Sequence, residues 1–177
     1  AIKDIYMRYA DRCRQSNAMD FDDLLLQTYV LFQEHEDIRQ QYAERFAYVL
    51  VDEYQDTNFA QQAIVLQLTR ERQRVCVVGD DAQSIYSFRS ANIDNILNFR
   101  EAYDDARLFK LEQNYRSTQL IVQAANSLIR KNERQIPKDV YSRNEEGERL
   151  TLKPAYSDRE EAIIVCQDIK RIKRQEH

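Results

Sequence analysis

The stretch Tyr48-Val49-Leu50-Val51-Asp52-Glu53 indicates the fold class of this 177-residue chain. An unbroken apolar run is typical of a parallel β-strand buried on both faces, and this one ends in two acids. A second run, Val75–Val78, ends in Gly79-Asp80-Asp81 after a helix-like interval. Helices that alternate with such runs predict an α/β fold, with a parallel sheet flanked by helices. We expect the two strands to be neighbours, with Asp52 and Asp80 at the same edge.

The remaining elements follow from periodicity and capping signals. Asn58 with Gln61 three residues later predicts a capping box at the start of a helix. The predicted helices cover Phe21–Phe32, the stretch from Asn58 to about Leu68, and the stretches after Ser117 and after Ser157, where Glu160 completes another capping box. Further strands are expected near Leu108–Leu111 and Leu150–Leu152.

The composition argues against several classes of protein. A net charge of -4 argues against a protein that coats nucleic acid by charge alone, although a local groove can still bind a strand by stacking. No apolar run approaches the ~20 residues that span a bilayer, and no signal-peptide pattern is present. Three widely spaced cysteines argue against disulfides and zinc, and for a reducing compartment. Gly79 and Gly147 are the only glycines, too few for a glycine-rich phosphate loop.

The acid pair Asp52-Glu53 is the first candidate site. Ligands of open parallel sheets bind at the carboxyl ends of the strands. One carboxylate there could hold Mg²⁺ and a neighbouring group could align an attacking water, which are the two needs of phosphoryl transfer. Alternatively, the two acids only end the strand and favour the next helix.

The loop after the second strand is the second candidate. Gln83 is followed by Tyr86, Phe88 and Arg89. The aromatic rings offer flat faces for bases, and the guanidinium can pair with phosphate or stack. Because aromatic side chains usually pack, Tyr86 and Phe88 could instead anchor the loop to a core.

The third candidate is Gln113-Asn114-Tyr115-Arg116-Ser117, before a helix start. Tyr115 could stack on a nucleobase, and Arg116 could reach a γ-phosphate as an arginine finger. The alternative is a capping turn with a solvated arginine.

These sites together resemble the UvrD/Rep/PcrA-type superfamily one DNA helicases. Asp52–Asn58 looks like motif II of that family, Val78–Ala91 like motif III, and Leu111–Ser117 like motif IV. Asp20–Leu25 resembles the segment that precedes motif II. All four occur in the order of the family.

The resemblance implies roles around ATP and Mg²⁺. Asp52, with Glu53, would hold the metal, and Glu53 would activate the attacking water. Gln83 would sense the γ-phosphate and link it to the strand-binding loop, and Gln55 would help to couple the two sites. Tyr115 would stack on adenine and Arg116 would contact the γ-phosphate.

The resemblance also implies that single-stranded DNA contacts Tyr86, Phe88 and Arg89. The family often has Trp-Arg-Gly where this chain has Phe88-Arg89-Ser90, so the stacking face is smaller. Ser87 and Ser90 stand where glycines are common, which predicts a stiffer loop. Ala82 replaces a residue that is often polar or proline.

The family implies two RecA-like P-loop NTPase domains. Residues 1–104 would be the C-terminal part of the first motor domain, with a helical insertion tail over 1–17, and residues 105–177 the start of the second. No GxxxxGK[ST] loop occurs, so we expect an incomplete NTPase fold and an inactive fragment.

The parent protein would be a bacterial, cytoplasmic, nucleoid-associated ATP-dependent helicase. It would translocate 3′ to 5′ on single-stranded DNA and unwind duplexes from single-strand junctions. Two alternatives remain at this point: the motor part of a RecB/AddA-like helicase-nuclease, or a degenerate DNA-binding relative that does not hydrolyse ATP.

Overall fold

The computed structural model describes residues 1–175, without the side chain of Arg89. The chain forms two compact units. Unit 1 comprises Ala1–Lys110 and Asn132–Lys138, and unit 2 comprises Leu111–Lys131 and the residues from Asp139 onward. The backbone therefore passes from one unit to the other three times, at residues 110/111, 131/132 and 138/139.

A two-stranded parallel sheet lies in unit 1. Strand β1 (Val49–Val51) pairs with β2 (Val75–Val77), with Val49 opposite Val75 and Val51 opposite Val77. The backbone N–H of Val78 donates to the carbonyl of Val51 at 2.8 Å, which continues the ladder past the strands. The two strands are neighbours, as predicted, and their carboxyl ends share one edge of the sheet.

The expectation that both strand faces are buried is wrong for this sheet. The valines of β1 and β2 are partly buried, whereas Leu50 is 76% exposed and Cys76 is exposed. Successive side chains of a strand point to opposite faces. The described residues therefore cover one face of the sheet and leave the other open.

Four helices of unit 1 are well defined: α1 (Ile2–Gln15), α2 (Phe21–Glu34), α3 (Glu36–Arg45) and α4 (Phe59–Thr69). Asn58 and Gln61 form the predicted capping box at the start of α4, with hydrogen bonds of 2.9 and 3.0 Å. Helices α2, α3 and α4 pack against one another, with the ring of Phe32 buried against Tyr42 at a centroid distance of 5.8 Å.

The chain after each strand of the first sheet runs through short helical turns. These are 3₁₀ turns at Tyr54–Asp56, Asp81–Gln83, Ser87–Arg89 and Phe99–Glu101, and a one-turn helix α5 (Asp94–Leu97). The buried Asn95 of α5 donates to the carbonyl and hydroxyl of Thr57 at 3.0 and 3.1 Å. These bonds hold α5 against the segment that follows β1.

Unit 2 is built around a second small parallel sheet. Strand β3 (Gln113–Asn114) pairs with β4 (Tyr141–Ser142), and helix α6 (Gln119–Ile129) connects them. The last helix is α7 (Asp158–Gln175), where Ser157 Oγ accepts from the backbone of Glu160 at 3.2 Å. None of the helices in the described range combines the length and apolarity needed to cross a bilayer.

Two predicted strands are wrong. Leu108–Leu111 and Leu150–Leu152 form no strand in the part of the chain that the structure describes. Their apolar side chains are largely exposed, from 48% for Leu108 to 91% for Leu152. A strand needs a partner strand for its backbone N–H and C=O groups. In this region the residues that pair are 113–114 and 141–142.

Candidate active site

The acid pair lies directly after β1. Asp52 Oδ1 accepts a hydrogen bond from the backbone N–H of Glu53 at 2.9 Å, and both side chains are exposed. Glu53 has φ 50° and ψ 41°, in the left-handed region. That conformation costs a residue with a side chain about 1–2 kcal/mol. The turn therefore places Glu53 at a backbone conformation that glycine would adopt more easily.

Gln55 joins this turn to the one after β2. Its side chain is buried, with 1% exposure. Its Nε2 donates to Glu53 Oε2 at 2.8 Å, and its Oε1 accepts from the backbone N–H of Asp80 at 3.0 Å. A Cβ added at Gly79 would lie 2.6 Å from that Oε1 atom and 2.8 Å from Ile96 Cδ1, so both side chains would have to shift for any other residue.

Asp80 organises the turn that carries Gln83. One carboxylate oxygen of Asp80 accepts from the backbone of Ala82 at 3.1 Å, and the other accepts from Gln83 Nε2 at 2.8 Å. Lys138 Nζ lies 2.6 Å from Asp80 Oδ1 and also pairs with Asp81. Burial of Asp80 opposes its ionisation, but the hydrogen bonds from Lys138 and Gln83 outweigh it, so the pKa of Asp80 is lowered.

The aromatic loop continues from Gln83. The rings of Tyr86 and Phe88 lie 5.9 Å apart at 45°, and Phe88 is 75% exposed. Within unit 1, Phe88 is therefore not a buried core anchor. Ser90, at one of the positions where glycine is common in the resembling family, has φ 64°. The side chain of Arg89 lies outside the described residues.

Unit 2 carries Tyr115 and Arg116 on a tight turn. Asn114 Oδ1 accepts from the backbone N–H groups of Arg116 and Ser117 at 2.9 and 2.8 Å. Asn144 Nδ2 donates to the carbonyl of Tyr115 at 3.2 Å. The turn leaves Tyr115 77% exposed and Arg116 exposed, so both side chains are available to a ligand.

The structure brings only part of the predicted set together in one unit. Unit 1 holds Asp52, Glu53, Gln83, Tyr86 and Phe88, and unit 2 holds Tyr115 and Arg116. Sequence reasoning missed Lys138 and Asn144. Lys138 lies 58 residues after Asp80 in a polar stretch, and no short motif signals its contact.

The exposed oxygens of Asp52 and Glu53 fit Mg²⁺. This ion prefers oxygen ligands and binds through one or two carboxylates plus substrate phosphates and water. Within residues 1–175, no group of three or more histidine, cysteine or acidic side chains could hold a metal ion.

Two parallel strands deliver acids and a glutamine to one sheet edge, which is where open α/β sheets bind their ligands. The model of the UvrD/REP helicase N-terminal domain matches residues 1–104, and that of the UvrD-like helicase C-terminal domain matches residues 109–177. The chain belongs to the UvrD/Rep helicase family.

Relatives agree with this membership. The chain is 41% identical over 176 residues to a protein named ATP-dependent DNA helicase PcrA from Leuconostoc citreum. It is 40% identical over 173 residues to proteins of the same name from Staphylococcus aureus and Staphylococcus epidermidis. These matches cover 98–99% of this chain but 24% of each relative, so the chain spans about a quarter of their length.

Proposed function

We propose that this chain is part of an ATP-dependent DNA helicase, which couples ATP hydrolysis to 3′-to-5′ movement along single-stranded DNA and unwinds duplexes from single-strand junctions. The observation that carries the proposal is the hydrogen-bonded path from Glu53 through Gln55 to Asp80 and Gln83. It connects a hydrolytic carboxylate to the start of an aromatic loop. The PcrA names of the relatives support a helicase and give no support to a helicase-nuclease.

The acid pair supplies the hydrolytic groups. Asp52, with Glu53, would hold Mg²⁺, which neutralises developing charge on the phosphates when it is bound. Glu53 would orient the attacking water and take its proton. Gln83 would contact the γ-phosphate, and unit 2 would contribute Tyr115 as a stacking face for adenine and Arg116 as a finger for the γ-phosphate.

The aromatic loop supplies the DNA contacts. Tyr86, Phe88 and Arg89 would bind single-stranded DNA through stacking and phosphate contacts, which are largely independent of sequence. Because Gln83 precedes Phe88 by five residues, a shift at the γ-phosphate would move the stacking rings. This is a physical route from hydrolysis to translocation.

Each of the two motor domains would contribute one part of this chain. Residues 1–104, with a helical tail over 1–17, would belong to the first motor domain, and residues 105–177 would open the second. The 177 residues contain no GxxxxGK[ST] stretch to cradle the β- and γ-phosphates. The isolated chain should therefore show negligible ATP hydrolysis, and the full-length protein should act in the bacterial cytoplasm.

The test is DNA-stimulated ATP hydrolysis by the full-length helicase. Glu53→Gln should abolish turnover while leaving nucleotide affinity nearly unchanged, because Asp52 would remain to hold the metal. Arg116→Ala should slow hydrolysis by roughly 10³ if Arg116 acts as an arginine finger. The exposed Glu34→Gln and Arg159→Ala are the matched controls. DNA binding without any turnover in the unmodified protein would instead identify a non-hydrolysing relative.

A further inference from the structure

We propose that Lys138 is a positioning residue for Gln83, acting through the carboxylate of Asp80. The inference deepens the proposed function and rests on it for its catalytic consequence. The geometry itself lies within unit 1 and stands independently of any activity.

The contact is a three-member chain of side chains. Lys138 Nζ lies 2.6 Å from Asp80 Oδ1, and Asp80 Oδ2 accepts from Gln83 Nε2 at 2.8 Å. One oxygen of the carboxylate is thus held by the cation and by the backbone N–H of Ala82 at 3.1 Å, and the other is held by the glutamine amide. Whatever fixes the rotation of Asp80 also fixes the direction of the Gln83 amide.

The lysine also neutralises a crowded pair of acids. Asp81 stands next to Asp80, and its side chain is only 3% exposed. Lys138 pairs with both carboxylates, and its own side chain is 18% exposed. Without the cation, two adjacent carboxylates, one of them buried, would repel each other. Asp80 would then turn toward solvent, and Gln83 would lose its acceptor.

Lys138 belongs to a segment of the chain that is anchored to unit 1 by hydrogen bonds and an ion pair. The backbone N–H of Ile136 donates to Asp81 Oδ2 at 2.8 Å, and Arg134 pairs with Asp94. Lys110 donates to the carbonyl of Pro137. Residues 132–138 therefore lie fixed on unit 1, although the chain enters this segment from unit 2 and leaves it for unit 2.

The catalytic consequence follows from the role of Gln83. A γ-phosphate contact works only when its donor already points at the phosphate, and small displacements of such groups cost about ten- to a hundredfold in rate. Lys138 would therefore raise kcat without touching nucleotide. The stretch after α6 would set the geometry of the phosphate sensor in motif III.

The first arm of the test observes Gln83 directly in the 177-residue chain. The reference protein carries Asp81→Asn. With this change, removal of Lys138 leaves no buried carboxylate unpaired. The side-chain oxygen of the new asparagine can still accept from the backbone N–H of Ile136. In this background, Lys138→Met removes only the cation on Asp80 Oδ1. The Asp80 carboxylate should then rotate more freely, and the side-chain amide NMR signals of Gln83 should move toward those of a solvated glutamine. Lys138→Arg should restore them, and Lys131→Met, seven residues earlier and exposed, should leave them in place. Unchanged Gln83 signals in the Lys138→Met chain would overturn the proposal.

The second arm measures ATP hydrolysis by the full-length helicase. Lys138→Met should lower kcat by about ten- to a hundredfold with little change in the KM for ATP, and Lys138→Arg should recover most of the loss. Lys138→Met should cause no further loss in a Gln83→Ala protein, since both changes remove one interaction. Fully additive losses would show that Lys138 does not act through Gln83. A full-length protein without ATPase would refute the proposed function, while the NMR arm would still decide the contact.

Discussion

The backbone amide of Asp80 donates to the side-chain oxygen of Gln55 at 3.0 Å. This one bond ties the turn that follows β1 to the turn that follows β2. The same glutamine also donates to Glu53, so one buried side chain contacts a candidate catalytic acid and the turn that carries Gln83. The two turns are therefore expected to move as a unit.

Replacement of Gln55 by leucine should destabilise the 177-residue chain. The change leaves the Asp80 N–H without its acceptor, and an unsatisfied buried donor costs about 1–3 kcal/mol. Urea unfolding measures the loss. Gln40→Leu, on the exposed surface of α3, is the control and should stay within about 0.5 kcal/mol of the unmodified chain. Equal losses for the two variants would show that the bridge contributes nothing to stability.

Glycine at position 53 should be tolerated better than glycine at position 52. Glu53 has φ 50°, and glycine removes the cost of about 1–2 kcal/mol that a side chain incurs there. Asp52 is not among the residues with positive φ, so Asp52→Gly gains no such relief. The free energy of unfolding of Glu53→Gly should exceed that of Asp52→Gly by about 1–2 kcal/mol in urea melts. The reverse order would contradict a strained backbone at Glu53.

Phe88→Ala should weaken single-strand binding by the full-length helicase about tenfold or more, because base stacking is worth ~1–3 kcal/mol per base. The loss should be similar for oligonucleotides of different sequence, and Phe88→Trp should retain or improve affinity. Phe109→Ala removes an equally exposed ring, at 79% against 75%, and serves as the control. A lower melting temperature with unchanged affinity per folded molecule would argue against stacking.

Alkaline pH should destabilise the chain through Tyr54. Burial raises the pKa of Tyr54 to about 12, against about 10 in an unfolded chain. The unfolded state therefore ionises first as the pH rises. The stability that Tyr54 contributes is complete below pH 10 and is lost between about pH 10 and 12, by up to about 1.4 kcal/mol per pH unit. Tyr54→Phe should flatten this decline in urea melts, whereas Tyr156→Phe, at 96% exposure, should leave it unchanged.

Local signals in the sequence predicted much of unit 1. The apolar runs at 49–51 and 75–77 pair in parallel as expected, and Asn58 with Gln61 caps α4 as the capping box predicted. These signals succeed because they act over a few residues. The same logic failed at Leu108–Leu111, where a mostly apolar segment has no strand beside it within the described chain. Strand formation depends on a partner, which a local pattern does not contain.

The candidate site was predicted unevenly for the same reason. Asp52, Glu53 and Gln83 stand at strand ends or in turns that the sequence marks. The interaction of Lys138 with Asp80 joins positions 58 residues apart, and no sequence pattern near either residue predicts it. The left-handed backbone of Glu53 was also unpredicted, because glutamate carries no preference for that conformation.

The return of residues 132–138 to unit 1 matters for anyone who divides this protein for expression or builds chimeras from it. A first-half fragment that stops at Lys110 carries Asp80 and Asp81 but leaves out the lysine that neutralises them. Its Asp81 would lose both the ion pair with Lys138 and the hydrogen bond from the backbone of Ile136. In a domain swap between relatives, Asp80, Asp81 and residues 132–138 should therefore come from the same parent. A single crossover point between the halves would take them from different parents.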